Sequence, residues 1–355
     1  MSVPSRHRAT YVHALGEAPK IAERTLGELK SDEVAIKIAA TAINPVDWKL
    51  RDYGLFIVPG WKHPAILGSD GSGTVAAIGS DVSNFSVGDR VFFQSGYGND
   101  DVSTFQEYIK LPAEVVAKTP ENISNEEAAG IVLASMAVAT AFYDKTGQGL
   151  KAPWVEGGSE AGKGKAVIIL GGSSSVGQYA IQLARLSGFD RIITNASAAH
   201  HDHLKSLGAH VVLNRDASSA TDFQKALGET PLEFVFDSIS IKETQTLGVE
   251  ILQLTNTKNS RVVLVGQVDE QTKQLGESKE PHVSVQMILG IALNPSLRSI
   301  IKGLTSSLGG PDGWIAKGEF KPNRVELIKG GLEKIQEGLE KNKHGVSGVK
   351  VVVQL

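Results

Sequence analysis

The stretch from Lys165 to Asn195 constrains the fold of this chain more than any other part of the sequence. It opens with a short apolar run, Ala166 to Leu170, rich in β-branched residues and typical of a buried parallel strand. Gly172, Ser174 and Gly177 then occupy the small-residue positions of a dinucleotide-binding turn, with serine in place of the middle glycine. A helix with one apolar face and a second β-branched strand follow. The spacing therefore predicts a βαβ unit with a glycine-serine turn at the start of its helix.

The start of this helix is a predicted phosphate site. The first backbone N–H groups of a helix have no partner within it, and the helix dipole adds partial positive charge there. Ligands of such sheets also lie beyond the carboxyl ends of later strands. The alternatives are a plain strand-to-helix turn and ordinary buried strand ends. The predicted cofactor-binding residues of this unit are Gly172, Ser173, Ser174, Ser175, Val176, Ser238, Ile239, Val265 and Gly266.

The end of the second strand indicates which nicotinamide cofactor binds. An NAD-binding unit places a carboxylate there for the ribose 2′-hydroxyl, whereas this chain has Asn195 followed by Ala196 and Ser197. A carboxylate would repel a 2′-phosphate, so its absence favours NADPH. The candidates to bind the phosphate are Ser197, His200 and Arg215. The alternative is that these residues simply begin a helix and end a strand.

Composition excludes several other classes of protein. A length of 355 residues suggests two domains, and a net charge of −3 gives no indication of nucleic acid or of an anionic membrane. The absence of cysteine removes disulfides, thiol nucleophiles and thiolate zinc sites. The N-terminal residues show no apolar signal core, so we expect a cytoplasmic protein. The apolar run at 127–143 is expected to be a buried helix rather than a membrane span.

Residues 1–130 have the pattern of a β-rich region. Short runs such as Val34 to Ile38 and Phe105 to Leu111 alternate or carry β-branched residues, and glycine-containing turns separate them. This arrangement predicts a small barrel or sandwich.

The chain as a whole resembles the medium-chain dehydrogenase/reductase superfamily. Within it, the sequence is similar to the zinc-independent quinone oxidoreductases and enoyl reductases, including fungal stand-alone enoyl reductases that serve polyketide synthases. The resemblance implies a GroES-like β-barrel catalytic domain at 1–133, a Rossmann domain with a doubly wound parallel sheet at 134–310, and a C-terminal return to the catalytic domain at 311–355. Within this return, we expect a last helix from Ile328 to Lys341 and a closing strand that rejoins the N-terminal domain. The motifs that carry it are AINPVDWK from Ala42, LGSDGSGTV from Leu67, GGSSSVGQYAIQLARLSG from Gly171, FVFDSI from Phe234, VVLVG from Val262 and SGVKVVV from Ser347.

The same resemblance shows which residues of this chain occupy the positions of the zinc ligands. The zinc-dependent members have a cysteine at the position of Asn44 and a His-Glu pair at Ser69 and Asp70. A catalytic zinc needs about three Cys, His or carboxylate ligands, and an amide and a hydroxyl are poor substitutes. We therefore predict no metal. The histidines at 200, 201 and 203 do not change this, because residues one or two apart on a helix do not share a face, so at most two of the three can lie together.

Four further site residues follow from the resemblance. Asn44 would lie near the nicotinamide and donate a hydrogen bond to a substrate carbonyl, where charge develops during conjugate reduction; the alternative is a turn residue that bonds its own backbone. Tyr53 would donate a proton or stack on a flat substrate, or be purely structural. Thr140 and Lys350 would contact the cofactor, unless they are a packed helix threonine and a solvated lysine.

The sequence thus predicts a zinc-independent, NADPH-dependent oxidoreductase that transfers hydride to an activated C=C bond (enone or enoyl) or to a quinone. One alternative is a trans-acting enoyl reductase that needs an acyl carrier protein. Another, from a different class, is an NADPH-binding protein without turnover. The expected partners are a small-molecule substrate and, by family resemblance, a second copy in a homodimer.

Overall fold

A computed structural model of the protein describes residues 3–54 and 62–355. Its strands are β1 His7–Val12, β2 Lys20–Arg24, β3 Glu33–Ala42, β4 Ala65–Ile66, β5 Asp70–Ile78, β6 Arg90–Gln94, β7 Tyr108–Pro112, β8 Val116–Lys118, β9 Ala166–Leu170, β10 Arg191–Ala196, β11 Val211–Asn214, β12 Leu232–Asp237, β13 Arg261–Leu264, β14 Ser284–Met287, β15 Val325–Lys329 and β16 Lys350–Gln354. Its α-helices are α1 Pro45–Tyr53, α2 Asn125–Ala128, α3 Val132–Tyr143, α4 Ser175–Leu186, α5 His201–Leu207, α6 Ala220–Leu227, α7 Lys242–Leu254, α8 Glu270–Glu277, α9 Arg298–Leu308 and α10 Ile335–Lys343. Short 3₁₀ turns occur at Ala113–Val115, Gly158–Glu160, Ala198–His200, Pro295–Leu297 and Gly331–Lys334.

The chain divides into two units. The first comprises Met1–Leu133 with Ile291–Leu355, and the second comprises Ala134–Gly290. Residues 291–310 therefore group with the first unit, although the sequence analysis assigned them to the nucleotide domain. The physical reason lies in α9, where Arg298 and Lys302 each form an ion pair with Glu114, at 3.1 and 3.4 Å.

The main sheet of the first unit confirms the β-rich prediction. Seven strands take part, in the order β15-β16-β3-β5-β6-β8, and β7 pairs with the first half of β3. The C-terminal strand β16 lies antiparallel to β3, with Val352 opposite Ala42. A separate three-stranded sheet has the order β2-β1-β4. The C-terminal segment thus returns to the N-terminal sheet, as the resemblance implied.

The second unit is built on a parallel sheet of six strands. Their order is β11-β10-β9-β12-β13-β14, so the chain starts in the middle, winds outward one way and then the other. All five residues of β9 are fully buried, which is typical of a strand covered on both faces. The doubly wound prediction is confirmed. In such sheets the ligand lies at the reversal of strand order, here between β9 and β12.

The apolar region at 125–143 forms α2 and α3 rather than one helix. In the described part of the chain, it is the one helical stretch long and apolar enough to cross a membrane, yet 83% of that window is buried within the protein. Such burial is typical of a core helix, as the sequence analysis expected.

The region before the C-terminal strand differs from the sequence-based expectation. We expected one helix over 328–341, whereas the structure has β15 at Val325–Lys329 and α10 at Ile335–Lys343. Parallel pairing with β16 draws residues 325–329 into the sheet, because an edge strand satisfies its backbone groups there. Helix α10 then packs Ile335 and Leu339 against the core that also buries Ile43 and Leu50.

Candidate active site

Helix α1 positions the first predicted catalytic residue. Asn44 immediately precedes the helix, and Pro45 occupies its first position, where the missing N–H of proline costs nothing. The carboxylate of Asp47 accepts a hydrogen bond from the backbone N–H of Asn44, with 2.7 Å between nitrogen and oxygen. Asn44 and Asp47 are 2% and 0% exposed. The NPVD segment is therefore a buried helix start.

Lys350 brings its ammonium group to this helix start. It is the first residue of β16 and is 4% exposed. Its Nζ donates to Asn44 Oδ1 at 2.5 Å and lies 3.5 Å from Asp70 Oδ2. The structure excludes the solvated alternative, because Lys350 is buried and pairs with two residues of its own unit. Its predicted contact with the cofactor stays a prediction.

Asp70 is the counter-ion of Lys350. Its Oδ1 accepts the backbone N–H of Leu133 at 3.2 Å, which leaves Oδ2 to face the ammonium. Burial raises the pKa of Asp70 to about 6, although the positive charge of Lys350 opposes that rise. The carboxylate thus serves both a backbone amide and the ammonium of Lys350.

A second chain of hydrogen bonds leads from Asp47. The Ser69 hydroxyl donates to the Tyr97 hydroxyl at 2.5 Å, and the Tyr97 hydroxyl donates to Asp47 Oδ1 at 3.4 Å. Burial raises the pKa of Asp47 to about 7, and burial together with the nearby Asp47 charge raises the pKa of Tyr97 well above its ordinary value. Near neutral pH, this chain can therefore hold a proton on Asp47 as well as on Tyr97. We call the six residues Asn44, Asp47, Ser69, Asp70, Tyr97 and Lys350 the buried polar cluster.

Tyr53 does not join the buried polar cluster. It is 65% exposed, and its ring meets the edge of the Trp48 ring at a centroid distance of 6.4 Å.

Tyr97 was not predicted from the sequence, because its surroundings, Gln94-Ser95-Gly96-Tyr97-Gly98, have only the pattern of a glycine-rich turn. A tyrosine just beyond an apolar strand was the one available signal.

In the second unit, the glycine-serine turn has the predicted conformation. Ser174 caps α4, since its Oγ accepts the N–H of Gly177 at 2.9 Å. The same hydroxyl donates to Ser238 Oγ at 2.9 Å, so it already has an acceptor within the protein. A Cβ on Gly177 would lie 2.4 Å from the carbonyl oxygen of Gly171. The turn is therefore packed backbone against backbone, while residues 173–176 stay half-buried.

The carboxyl ends of β12 and β13 are tied together next to this turn. Asp237 accepts the N–H groups of Ile239 and Ser240 at 3.0 and 2.9 Å. Ser240 has a left-handed φ of 64°, and its Oγ accepts the N–H of Val265 at 3.0 Å. These bonds bring the predicted residues Ser238, Ile239, Val265 and Gly266 to one end of the sheet, beside the turn.

The predicted 2′-phosphate residues lie at the ends of β10 and β11. The Arg215 N–H donates to the Ala196 carbonyl at 3.1 Å, which places Arg215 beside Ser197. The Arg215 side chain is exposed and forms an ion pair with Asp216 at 3.3 Å. Asp216 is an acid that the sequence analysis did not consider. His200 is buried, whereas His201 is half-buried and donates through Nε2 to the Ala196 carbonyl at 3.1 Å.

Thr140 has the packing of a helix threonine. It is 1% exposed, and its hydroxyl donates to the Met136 carbonyl one turn earlier, at 2.8 Å. Its role toward the cofactor stays a prediction.

Comparison with known proteins identifies the family. Residues 30–121 match the alcohol dehydrogenase GroES-like domain, and residues 175–305 match the zinc-binding dehydrogenase domain. Trans-enoyl reductase himH of Aspergillus japonicus is 32% identical over 332 residues, which cover 91% of this chain and 90% of the relative. Trans-enoyl reductase tndF of Aspergillus flavipes is 30% identical over 358 residues, which cover 98% and 99%.

This chain belongs to the medium-chain dehydrogenase/reductase superfamily. It is an oxidoreductase of the enoyl reductase and quinone oxidoreductase-like group, and the fold is that of the superfamily. Among solved structures, the Escherichia coli quinone oxidoreductase complexed with NADPH has a TM-score of 0.73 at 20% identity, covering 98% of this chain and all of that one. At this identity the likeness concerns the fold.

The residues at the zinc positions of the superfamily do not fit a zinc ion in this reductase. Asn44 and Ser69 are neutral and weak ligands, and the one anionic group, Asp70, faces the ammonium of Lys350 at 3.5 Å. In the part of the chain that the structure describes, no group of three or more His, Cys, Asp or Glu side chains could hold a metal ion.

The second unit of the reductase does fit a nicotinamide dinucleotide. A Cβ at Gly172 would lie 2.2 Å from Thr194 Oγ1, and the one at Gly177 would strike backbone atoms, so both positions require glycine for the turn to pack closely. The start of α4 and the reversal of strand order meet at this turn. Residues 172–176 would hold the pyrophosphate, as the sequence analysis predicted.

Proposed function

We propose that this oxidoreductase uses NADPH to reduce the C=C bond of an α,β-unsaturated thioester. The observation that carries the proposal is the buried polar cluster. It offers an amide N–H to an oxygen that gains negative charge, it holds a buried positive charge next to that amide, and it lacks a donor set for zinc. The names of the relatives support the same substrate class, because they are trans-enoyl reductases.

The residues of the cluster suit the two halves of a conjugate reduction. When bound, NADPH would supply the hydride that adds to the β-carbon. The π electrons of the double bond then move to the carbonyl oxygen, where an N–H donor such as Asn44 Nδ2 stabilises the enolate. A proton added at the α-carbon completes the reduction, and the Ser69–Tyr97–Asp47 chain holds protons for it.

NADPH rather than NADH is the preferred cofactor in this proposal. Arg215 lies beside Ser197 at the ends of adjacent parallel strands, and a guanidinium group can bind a phosphate through two hydrogen bonds. The neighbouring Asp216 works against this preference, because its carboxylate would repel a 2′-phosphate and already pairs with Arg215. We therefore expect a moderate preference rather than an absolute one.

The thioester is proposed to be bound to an acyl carrier protein. The relatives are named trans-enoyl reductases, and a reductase that acts in trans would receive its acyl chain from another protein. A quinone is the second acceptor class, since its carbonyl oxygen gains charge on hydride addition in the same way.

One experiment tests these proposals together. Oxidation of NADPH and NADH is followed in parallel with four acceptors: an enoyl thioester on a carrier protein, the same chain on pantetheine, a small enone and a quinone. The proposal expects NADPH to be faster, and the carrier-bound thioester to have the highest kcat/KM. Faster turnover of the quinone than of either thioester would replace enoyl chemistry with quinone chemistry. NADPH binding without oxidation by any acceptor would favour the non-catalytic alternative.

Two further expectations stay predictions. The homodimer can be tested by sedimentation of the purified protein, and β14, the last strand of the parallel sheet, is the edge to inspect first. The cytoplasmic location can be tested by fractionation of cells that express the tagged chain.

A further inference from the structure

The path of the Lys350 side chain is fixed before its ammonium reaches Asn44. Its N–H donates to the Arg324 carbonyl at 2.8 Å, which holds the backbone at the start of β16. Its aliphatic stem passes directly over Gly130, where a Cβ would lie 2.6 Å from Lys350 Cγ. A side chain at 130 would therefore push the stem aside. Gly130 and β16 together direct a long, flexible side chain to one buried place.

The ammonium fixes which way the Asn44 amide points. Lys350 Nζ carries only donors, so the atom 2.5 Å from it must be the amide oxygen. Rotating the amide by half a turn would set an NH₂ group against an NH₃⁺ group. The Asn44 Nδ2 atom is thereby left on the other side, where its partners are Ala42 O at 3.4 Å and Asp70 Oδ2 at 3.5 Å. Both distances lie at the outer limit of a hydrogen bond, so a closer acceptor oxygen would replace them at small cost.

The ammonium also changes how strongly that amide donates. A cation at the carbonyl oxygen of an amide withdraws electron density from its nitrogen, and hydrogen bonds in a chain strengthen one another in a dry environment. Asn44, Asp70 and Lys350 are each less than 5% exposed. Asp70 balances the charge but lies farther from the ammonium than the amide oxygen does.

We propose that Lys350 is a positioning residue for the reduction, which acts through Asn44. Its ammonium presents Asn44 Nδ2 to the carbonyl oxygen of the substrate and strengthens that hydrogen bond as the oxygen becomes an enolate. This inference rests on the proposed function, and it assigns to a lysine and an amide the polarising task that other members give to a metal. Lys350 itself forms no bond to the substrate.

A set of four variants tests the inference. Lys350→Met keeps the stem without the charge, Lys350→Arg keeps the charge, Asn44→Ala removes the amide, and Lys350→Met/Asp70→Asn removes both charges. Lys350→Met should lower kcat about 100-fold while changing the NADPH dissociation constant less than about twofold, as expected for a contribution made in the transition state. Lys350→Arg should recover part of kcat.

Thermal unfolding separates this role from a merely structural one. Lys350→Met leaves Asp70 buried without its counter-ion, so its Tm should fall, and adding Asp70→Asn should restore Tm but not kcat. Recovery of kcat together with Tm would show that Lys350 is only a structural charge partner. A rise of more than about tenfold in the NADPH dissociation constant would indicate that Lys350 contacts the cofactor, and it would overturn the inference.

A double-mutant cycle tests whether Lys350 acts through Asn44. Lys350→Met in the Asn44→Ala background should have almost no further effect on kcat, because the group it positions is gone. Additive losses would refute the inference yet leave the proposed function intact. A wild-type protein that reduces none of the acceptors would refute both the inference and the proposed function.

A variant that leaves every charge of the cluster unchanged tests the inference even if Lys350→Met does not fold. Gly130→Ala moves the Lys350 stem and changes no charge, so it should lower kcat about tenfold with little change in NADPH binding. Gly88→Ala is the control for general destabilisation, since a Cβ there meets nothing within 4 Å while the left-handed φ of 99° strains the backbone away from the cluster. Equal kcat for the Gly130 and Gly88 variants would count against the inference.

Discussion

The glycine-serine turn of the second unit and the buried polar cluster of the first are built in opposite ways. The turn is a run of consecutive residues from Gly171 to Gly177, and it works mainly through backbone atoms. The cluster joins residues as far apart as Asn44 and Lys350, which are 306 positions apart, and works through side chains. A turn of this kind therefore depends on which residues lack a side chain, whereas the cluster depends on which charges are paired.

The largest expected effect comes from adding a side chain to the turn. In Gly177→Ala the new Cβ would lie 2.4 Å from Gly171 O and 2.8 Å from Gly172 Cα, and no flexible side chain is there to move. We expect NADPH affinity to fall about 100-fold or more, roughly 2.7 kcal/mol. Isothermal titration with NADPH measures this. Gly88→Ala, in the other unit, should lower Tm only, and an equal loss of NADPH affinity there would break the comparison.

The next effect concerns the pH dependence of stability in the cluster. Asp47 has a folded-state pKa of about 7, above the value of an unfolded carboxyl. Between about pH 4 and 7 the folded protein keeps a proton that the unfolded chain has lost, so its stability falls as pH rises through this window. Asp47→Asn keeps an acceptor for the Asn44 N–H and cannot titrate. It should remove on the order of 2 kcal/mol of that fall.

Urea unfolding of wild type and Asp47→Asn at several pH values measures how the free energy of unfolding of each protein depends on pH. Because Asp70 is present in both proteins, the difference between the two slopes reports Asp47. Identical slopes would mean that Asp47 titrates as an ordinary carboxyl.

A smaller expected effect, on kcat, shows whether Tyr97 or Tyr53 takes part in the reduction. Tyr97→Phe removes a hydroxyl that links Ser69 to Asp47, and we expect kcat to fall about tenfold. Tyr53→Phe, which changes the candidate named from the sequence, should cause a smaller loss because Tyr53 lies at the surface. Steady-state kinetics with an enoyl thioester compares the two. A larger loss from Tyr53→Phe would restore the sequence-based choice.

The smallest expected effect concerns the exposed end of the nucleotide unit. Arg215→Ala should raise the NADPH dissociation constant about fivefold and leave that of NADH nearly unchanged, since exposed charge pairs contribute little. Asp216→Asn is the matched control and should leave NADPH binding equal or tighter. Equal effects of Arg215→Ala on both cofactors would place Arg215 away from the 2′-phosphate.

The sequence predicted the second unit well because its signals are local. The apolar run of β9, the small residues of the turn and the amphipathic α4 are consecutive, and each is determined by its own neighbours. The predicted last helix began too early, at Ile328, because residues 325–329 pair with β16, which follows them in the chain. Residues 291–310 group with the first unit for a similar reason, because the ion pairs of α9 with Glu114 join segments that are distant in the sequence.

The candidate site shows the same division. By itself, the sequence determined the parallel-sheet unit, its glycine-serine turn and the absence of cysteine, since each depends on local residue types. Only the tertiary structure decided that Lys350 meets Asn44 and Asp70, and that Tyr97 rather than Tyr53 joins them. The physical reason is that burial and charge pairing depend on which distant segments the sheet brings together. The spacing of residues along the chain does not indicate which distant segments come into contact.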